Sequence, residues 1–240
     1  MVEVMGILNL TPDSFWEPSR FNMAILESGA DIIDIGAVST RPGAGDVPLE
    51  EEWSRLSPVL SSLAGSDLRI SVDTTRAETV RRCFDTLGPF IVNDISAGED
   101  DPEMLPTVGS LGLQYIAMHK RGNPRTMDGL TGYDDVVADV VAYFRDFAEK
   151  AAAAGVVDWI LDPGFGFSKT NAQNIEMIER LPEFKALGRP VLVGIAGKRF
   201  TGGRTEYWHR KALEGGADIL RVHDVAAARH TIEEFDNSKL

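Results

Sequence analysis

Asp73, Asn93 and Asp162 each stand at or near the end of a short apolar run, and together they offer fixed hydrogen-bond acceptors with one amide donor. Such a set suits a flat heterocycle carrying adjacent N–H donors and a carbonyl or ring-nitrogen acceptor, because a carboxylate facing a guanidine-like edge makes a strong planar pair. A second group is cationic. Arg41, Lys198, Arg221 and His223 follow other apolar runs, and their natural partner is a phosphate. Each group also has a plainer reading, in which the carboxylates cap helices or pair with Lys198 and Arg221, and the cations are neutralised inside the protein. Asn9 and Asp13, within Asn9-Leu10-Thr11-Pro12-Asp13, supply only hard oxygens. That suits Mg2+ shared with substrate phosphates rather than a cage built by protein alone. The single cysteine, Cys83, lies in a helical pattern, which is the wrong place for a nucleophile, and no Cys/His spacing of a zinc site occurs. Gly164-Phe165-Gly166 is only loosely like a phosphate loop and is expected to shape a turn presenting Phe167.

What must position these residues is a series of runs rich in Val, Ile and Leu at 3–9, 31–36, 68–73, 90–95, 113–118, 159–162, 190–195 and 218–222. They are nearly continuous rather than alternating, the pattern of parallel strands buried on both faces. Helical patterns fall between them at 49–63, 76–87, 102–111, 133–154, 171–187 and 204–214, and Glu50-Glu51-Glu52 opens the first of these at its positive dipole end. Eight strands alternating with helices predict a (β/α)8 barrel, with a doubly wound open sheet as the rival. The repeat Gly29-Ala30-Asp31 and Gly216-Ala217-Asp218 favours the barrel, each copy ending a helix with Gly and entering a strand. In a barrel, active-site residues sit at the C-terminal ends of the strands, which is where the two groups above fall.

With 240 residues, 43% of them hydrophobic, the chain can bury a core without disulfides, and one barrel-sized domain over 1–240 is expected. A net charge of −13 argues against a nucleic-acid or anionic-membrane surface, so any anionic ligand must be held by local cations. The lone cysteine and the absence of a long apolar stretch lead us to expect a soluble cytoplasmic protein.

Met5-Gly6-Ile7-Leu8-Asn9-Leu10-Thr11-Pro12-Asp13-Ser14-Phe15 is similar to the opening signature of the dihydropteroate synthase family, and Asp34-Ile35-Gly36 with Ser39-Thr40-Arg41-Pro42-Gly43-Ala44 resembles its second. Ser71-Val72-Asp73-Thr74, Asn93-Asp94-Ile95-Ser96, Met118-His119, Asp162-Pro163-Gly164-Phe165-Gly166-Phe167 and Arg221-Val222-His223-Asp224-Val225 continue the match in order. The resemblance implies a barrel enzyme that condenses 6-hydroxymethyl-7,8-dihydropterin diphosphate with p-aminobenzoate. It implies that Asp73, Asn93, Asp162 and Lys198 hold the pterin, with Ile95 and Met118 against its ring. Asn9 would meet Mg2+ and diphosphate, and Arg41, Arg221 and His223 the diphosphate. Thr40, Arg41, Pro42, Phe167, Ala196 and Lys198 would border the aminobenzoate, where sulfonamides also bind. Asn9, Asp13, Asp73, Asp162, Lys198 and Arg221 are then the expected catalytic set, and a homodimer is the expected assembly, with 136–154 or the C-terminal helices as its surface. Two other classes remain open at this point: a non-catalytic pterin-binding paralogue, and a methyltransferase barrel acting on methyltetrahydrofolate.

The chain departs from the family pattern in places. After strand seven it reads Ala196-Gly197-Lys198 where the family usually has Ser-Arg-Lys, so a hydroxyl and a guanidinium facing the aminobenzoate are lost. The connections 15–29 and 199–204 are also shorter than usual.

Overall fold

The computed structural model describes residues 2–10, 24–38, 47–123 and 125–239. Its strands are β1 (Glu3–Asn9), β2 (Ile32–Gly36), β3 (Ile70–Asp73), β4 (Ile91–Asp94), β5 (Gln114–Met118), β6 (Trp159–Asp162), β7 (Leu192–Val193) and β8 (Ile219–Val222). They are joined in the order β6-β5-β4-β3-β2-β1-β8-β7, all pairs parallel. A parallel bridge between Leu161 and Val191 brings the two ends of the sheet together and closes the barrel. The open-sheet alternative is thereby set aside.

The helices α1 (Leu49–Leu63), α2 (Ala77–Leu87), α3 (Met104–Leu111), α4 (Val136–Ala153), α5 (Asn171–Glu179), α6 (Leu181–Lys185), α7 (Thr205–Glu214) and α8 (Val225–Asn237) alternate with the strands. The pattern expected as one helix over 171–187 is interrupted at Arg180, and Pro182 starts a new short helix, where its missing N–H is tolerated. The helical patterns of the sequence do not extend to α8. It is capped by Asp224, whose carboxylate accepts from the Ala227 N–H at 2.9 Å.

Along each strand alternate residues serve different layers, as period-two geometry requires. Leu8, Ile35, Val72, Val92, Tyr115, Leu161, Val193 and Leu220 point outward into the large core shared with the helices. Met5, Ile32, Ile91, Ile116, Ile160, Leu192 and Ile219 point inward and fill the lower barrel as a separate apolar plug. Two residues further along the same inward faces come Ile7, Asp34, Asn93, Met118, Asp162, Gly194 and Arg221. The barrel interior therefore changes from apolar to charged within one side-chain layer, moving toward the C-terminal ends of the strands.

The Gly-Ala-Asp repeat has one structural job in both copies. Asp31 accepts from the N–H of Val4 on the neighbouring β1 at 2.7 Å, and Asp218 accepts from the N–H of Val191 next to β7 at 2.6 Å. Each carboxylate is neutralised by a basic side chain on a helix, Arg229 for Asp31 and Lys185 for Asp218. The glycine of each copy takes a positive φ, 77° at Gly29 and 91° at Gly216, which turns the chain into the strand.

The acidic opening of α1 divides its labour. Glu50 and Glu51 pair with Arg82 and Arg55, but Glu52 is buried and accepts from Thr74 Oγ1 at 2.6 Å, from Arg76 and from Thr79. It anchors the turn immediately after Asp73.

Candidate active site

Inside the upper barrel the hub is Asp34, a fully buried carboxylate in the middle of β2. Its Oδ1 accepts from Ser71 Oγ at 2.7 Å, and both its oxygens face Asn93 Nδ2, at 3.2 and 3.1 Å. Its Oδ2 also accepts from Arg221 Nε at 2.7 Å and lies 2.6 Å from Arg221 Nη2. The same guanidinium reaches Asp73 Oδ2 at 3.2 Å. Asp73 and Asn93 are direct neighbours in the β3–β4 register. Two carboxylates thus share one arginine, and burial together with the nearby Asp34 pushes the Asp73 carboxyl up to about 7, against the smaller opposing pull of Arg221.

Asp162 closes the other side. Its Oδ1 accepts from the Gly164 N–H at 2.8 Å, and burial raises its pKa even though Arg221, Lys198 and Lys169 favour the ionised form. The loop that follows is held at every step. Phe167 N–H donates to Gly164 O at 3.1 Å and Gly166 N–H to Asn174 Oδ1 at 2.7 Å, while Thr170 caps α5 in a reciprocal box with Gln173. With φ of 73° at Gly164 and 82° at Gly166, the segment is the turn expected of it, and it presents Phe167. The Lys198 ammonium lies 4.5 Å from the Phe167 ring centroid, and burial followed by repulsion from Arg221 lowers its pKa to about 8. A methyl at Gly166 would come within 2.9 Å of Lys198 Cδ, so the glycine gives this lysine its place.

Ile95 and Met118 are buried apolar residues at the ends of β4 and β5. Asn9 is half-buried at the end of β1, in register with Gly36, and His223 is exposed beyond β8. Ala196 and Gly197 form the middle of a tight turn closed by Lys198 N–H donating to Ile195 O at 3.1 Å. Gly197 has φ +71°, a value glycine adopts without strain and one that lets the turn close. Asp13, Thr40, Arg41 and Pro42 lie outside the described residues.

Two residues named at strand ends belong to the scaffold. Asp94 is buried and accepts from Ser96 N–H, Ser96 Oγ, Gly98 N–H and Tyr115 Oη, fixing the turn after β4. His119 faces Lys169 Nζ at 3.0 Å, and burial drops its pKa to about 2. Lys169, which sequence reasoning passed over, donates to Gly164 O and Phe167 O and thereby clasps the Asp162 loop from behind. Its own pKa is lowered by burial to about 7. In the sequence Asp34 stands out only as part of Asp34-Ile35-Gly36. Its signal was a charged residue inside an apolar run, which demands a buried partner.

The raised carboxyl of Asp73 has a measurable consequence. A group whose folded pKa lies above its unfolded value stabilises the fold while protonated and loses that contribution as pH rises through the folded pKa. Relative to an Asp73→Asn variant, the wild type is expected to lose stability progressively between pH 3.8 and about 7 and to change no further above it. Urea unfolding of both proteins across that range checks this. A stability difference independent of pH would show that Asp73 is ionised throughout.

Residues 5–223 match the family described as pterin binding enzymes, which is most of the chain, and the chain belongs to that family. Among its relatives are dihydropteroate synthases. It is 43% identical to the dihydropteroate synthase of Synechocystis sp., over 93% of this chain and 86% of that protein. Its fold superposes on Xanthomonas albilineans dihydropteroate synthase bound to 4-aminobenzoic acid with a TM-score of 0.90 at 36% identity, covering 99% of this chain and 93% of that one. The Yersinia pestis dihydropteroate synthase in a sulfonamide drug complex gives a TM-score of 0.91 at 33% identity, covering 99% and 94%.

Proposed function

We propose that this chain is a dihydropteroate synthase, a transferase that joins 6-hydroxymethyl-7,8-dihydropterin diphosphate to p-aminobenzoate and releases diphosphate. The observation that carries the reading is the cluster of half-buried Asp73 with buried Asn93 and Asp162 beside Arg221 and Lys198 at the C-terminal end of the barrel. Asp162 and Asp73 supply acceptors to the N–H edge of the pterin, and Lys198 reaches its carbonyl side. Ile95 and Met118 pack on the ring. Burial of this floor strips water from the heterocycle and strengthens each polar contact.

The chemistry asks for charge stabilisation more than for a base. The methylene–oxygen bond breaks with its electron pair leaving on diphosphate, and the electron-rich pterin delocalises the resulting cation. The aminobenzoate nitrogen then attacks the methylene, forms the C–N bond and gives up a proton. Arg41, Arg221 and His223 are the residues of this chain assigned to the leaving diphosphate. Among the described residues no group of three or more His, Cys, Asp and Glu is placed to hold a metal, while Asn9 offers one hard oxygen at the rim. That donor set fits an ion shared with the diphosphate, and Asn9 with Asp13 would hold it. Mg2+ bound there supplies positive charge to the departing diphosphate.

Thr40, Arg41, Pro42, Phe167, Ala196 and Lys198 form the aminobenzoate pocket in this reading, which sulfonamides share. Ala196 leaves the pocket one hydroxyl short. Ala196→Ser is therefore expected to lower the aminobenzoate KM and the sulfonamide inhibition constant about 2- to 10-fold, the worth of one hydrogen bond of about 0.5–1.5 kcal/mol. The neighbouring change Gly197→Arg forces a side chain into a φ of +71° and is expected to cost about 1–2 kcal/mol of folding stability. Steady-state kinetics of the two single variants tests this, and unchanged constants in Ala196→Ser would remove this turn from the pocket.

The protein is further proposed to be a homodimer. The apolar side of α4 is consumed in the core, through Val136, Val140, Phe144 and Phe147, which leaves the C-terminal helices, with Tyr207 exposed on α7, as the surface for it. The reading as a whole is tested by complementation. Expression in a synthase-deficient bacterium is expected to restore growth without added folate products, and failure of a well-expressed protein to do so would favour the non-catalytic paralogue.

A further inference from the structure

Asn93 carries both a donor and an acceptor, and which of them meets a ligand depends on which way its amide is turned. Nothing about an isolated asparagine decides this. Here Nδ2 lies 3.2 and 3.1 Å from the two oxygens of Asp34, a carboxylate with no solvent exposure. Turning the amide over would place its carbonyl oxygen against that carboxylate, exchanging two attractive contacts for a repulsive one in a dry environment. Asp34 is itself held, by Ser71 Oγ on one oxygen and by Arg221 on the other. The carboxylate therefore cannot rotate away to accommodate the flipped amide.

We propose that Asp34 is a positioning residue that locks the Asn93 amide in one of its two orientations, with an Nδ2 hydrogen on Asp34 and Oδ1 left to accept from a ligand N–H. Asp34 does so without touching the ligand itself, and through Arg221 it also fixes the counter-ion of Asp73. The inference rests on the pterin reading of the site and deepens it. The floor then presents an acceptor oxygen from each of Asp73, Asn93 and Asp162, with the second Asn93 N–H as the donor beside them, rather than an amide of either orientation.

A residue swap separates positioning from simple structural support. Asn93→Asp keeps an acceptor toward the ligand but sets two carboxylates against each other, and Asp34→Asn removes the lock. Each is expected to weaken 6-hydroxymethyl-7,8-dihydropterin binding about tenfold or more, measured by calorimetry on the intact protein. The double variant Asp34→Asn with Asn93→Asp recreates the pair in reverse, with the residue-34 amide donating to the residue-93 carboxylate. It is expected to bind within about threefold of wild type. A double variant as weak as the product of the two singles would overturn the proposal, as would wild-type affinity in Asp34→Asn alone. Should the variants fail to fold, a neutron structure of the wild type with the same pterin answers the question directly. An Asn93 N–H on Asp34 with Oδ1 turned away supports the lock, and the amide oxygen turned to Asp34 refutes it. Wild-type protein that does not bind this pterin at all would instead remove the functional reading on which the lock depends.

Discussion

An Asp162→Asn variant is expected to lose pterin binding by about 30- to 1000-fold, equivalent to about 2–4 kcal/mol. The direction follows from the loop that surrounds the residue. Gly164 N–H already donates to Asp162 Oδ1, so an amide at this position keeps its carbonyl oxygen on Gly164 and must point its NH2 at the ligand. The substitution therefore does more than remove a charge. It places a donor against the donors of the heterocycle, in a buried site with no water to separate them. Calorimetry with 6-hydroxymethyl-7,8-dihydropterin measures the loss, and thermal unfolding shows whether the loop stays intact. Wild-type affinity in a folded variant would take Asp162 out of the pterin site.

Arg221→Ala is expected to be the most disruptive change in the upper barrel. Read from sequence alone, Arg221 is an anion-binding residue, and its loss should weaken diphosphate binding far more than binding of the uncharged hydroxymethylpterin. The structure shows Nε and one terminal nitrogen engaged with Asp34 and Asp73. Removing the arginine leaves two neighbouring buried carboxylates without a counter-ion, a loss of about 3–5 kcal/mol of stability. Asp73 is then driven still further toward its protonated form, and a protonated carboxyl is a poorer acceptor. Binding of the uncharged hydroxymethylpterin should fall about tenfold or more, with the diphosphate losing at least as much. If the uncharged ligand keeps its wild-type affinity while the diphosphate does not, Arg221 serves the leaving group alone and its contacts with Asp34 and Asp73 do not matter to the pterin.

These two residues illustrate what a sequence discloses and what it withholds. The strands were readable because burial on both faces writes continuous Val, Ile and Leu runs, and β1 and β6 coincide with their expected bounds. Strand β7 contracted to Leu192–Val193 because it begins after Pro190, which has no N–H to give to a ladder, and is followed by Gly194. The positions of Asp73, Asn93 and Asp162 were legible because the ends of barrel strands face one cavity. Their polarity was not. It depends on Asp34, which is 59 positions from Asn93 and 187 from Arg221, and no local pattern records such pairings. Of the plainer readings, the pairing of a site carboxylate with Arg221 is what the structure contains, and Asp94 proved to be a turn residue. Lys169 escaped notice because a lysine after a glycine-rich turn reads as surface, whereas here it is buried beneath that turn with backbone carbonyls as partners.

The reaction itself can be measured on the purified protein. Incubated with 6-hydroxymethyl-7,8-dihydropterin diphosphate, p-aminobenzoate and Mg2+, the protein is expected to form 7,8-dihydropteroate and diphosphate in equal amounts, with turnover suppressed by a sulfonamide competing with p-aminobenzoate and abolished in Asp162→Asn. Binding of the pterin diphosphate without formation of dihydropteroate, by a folded protein at saturating p-aminobenzoate, would contradict the assignment.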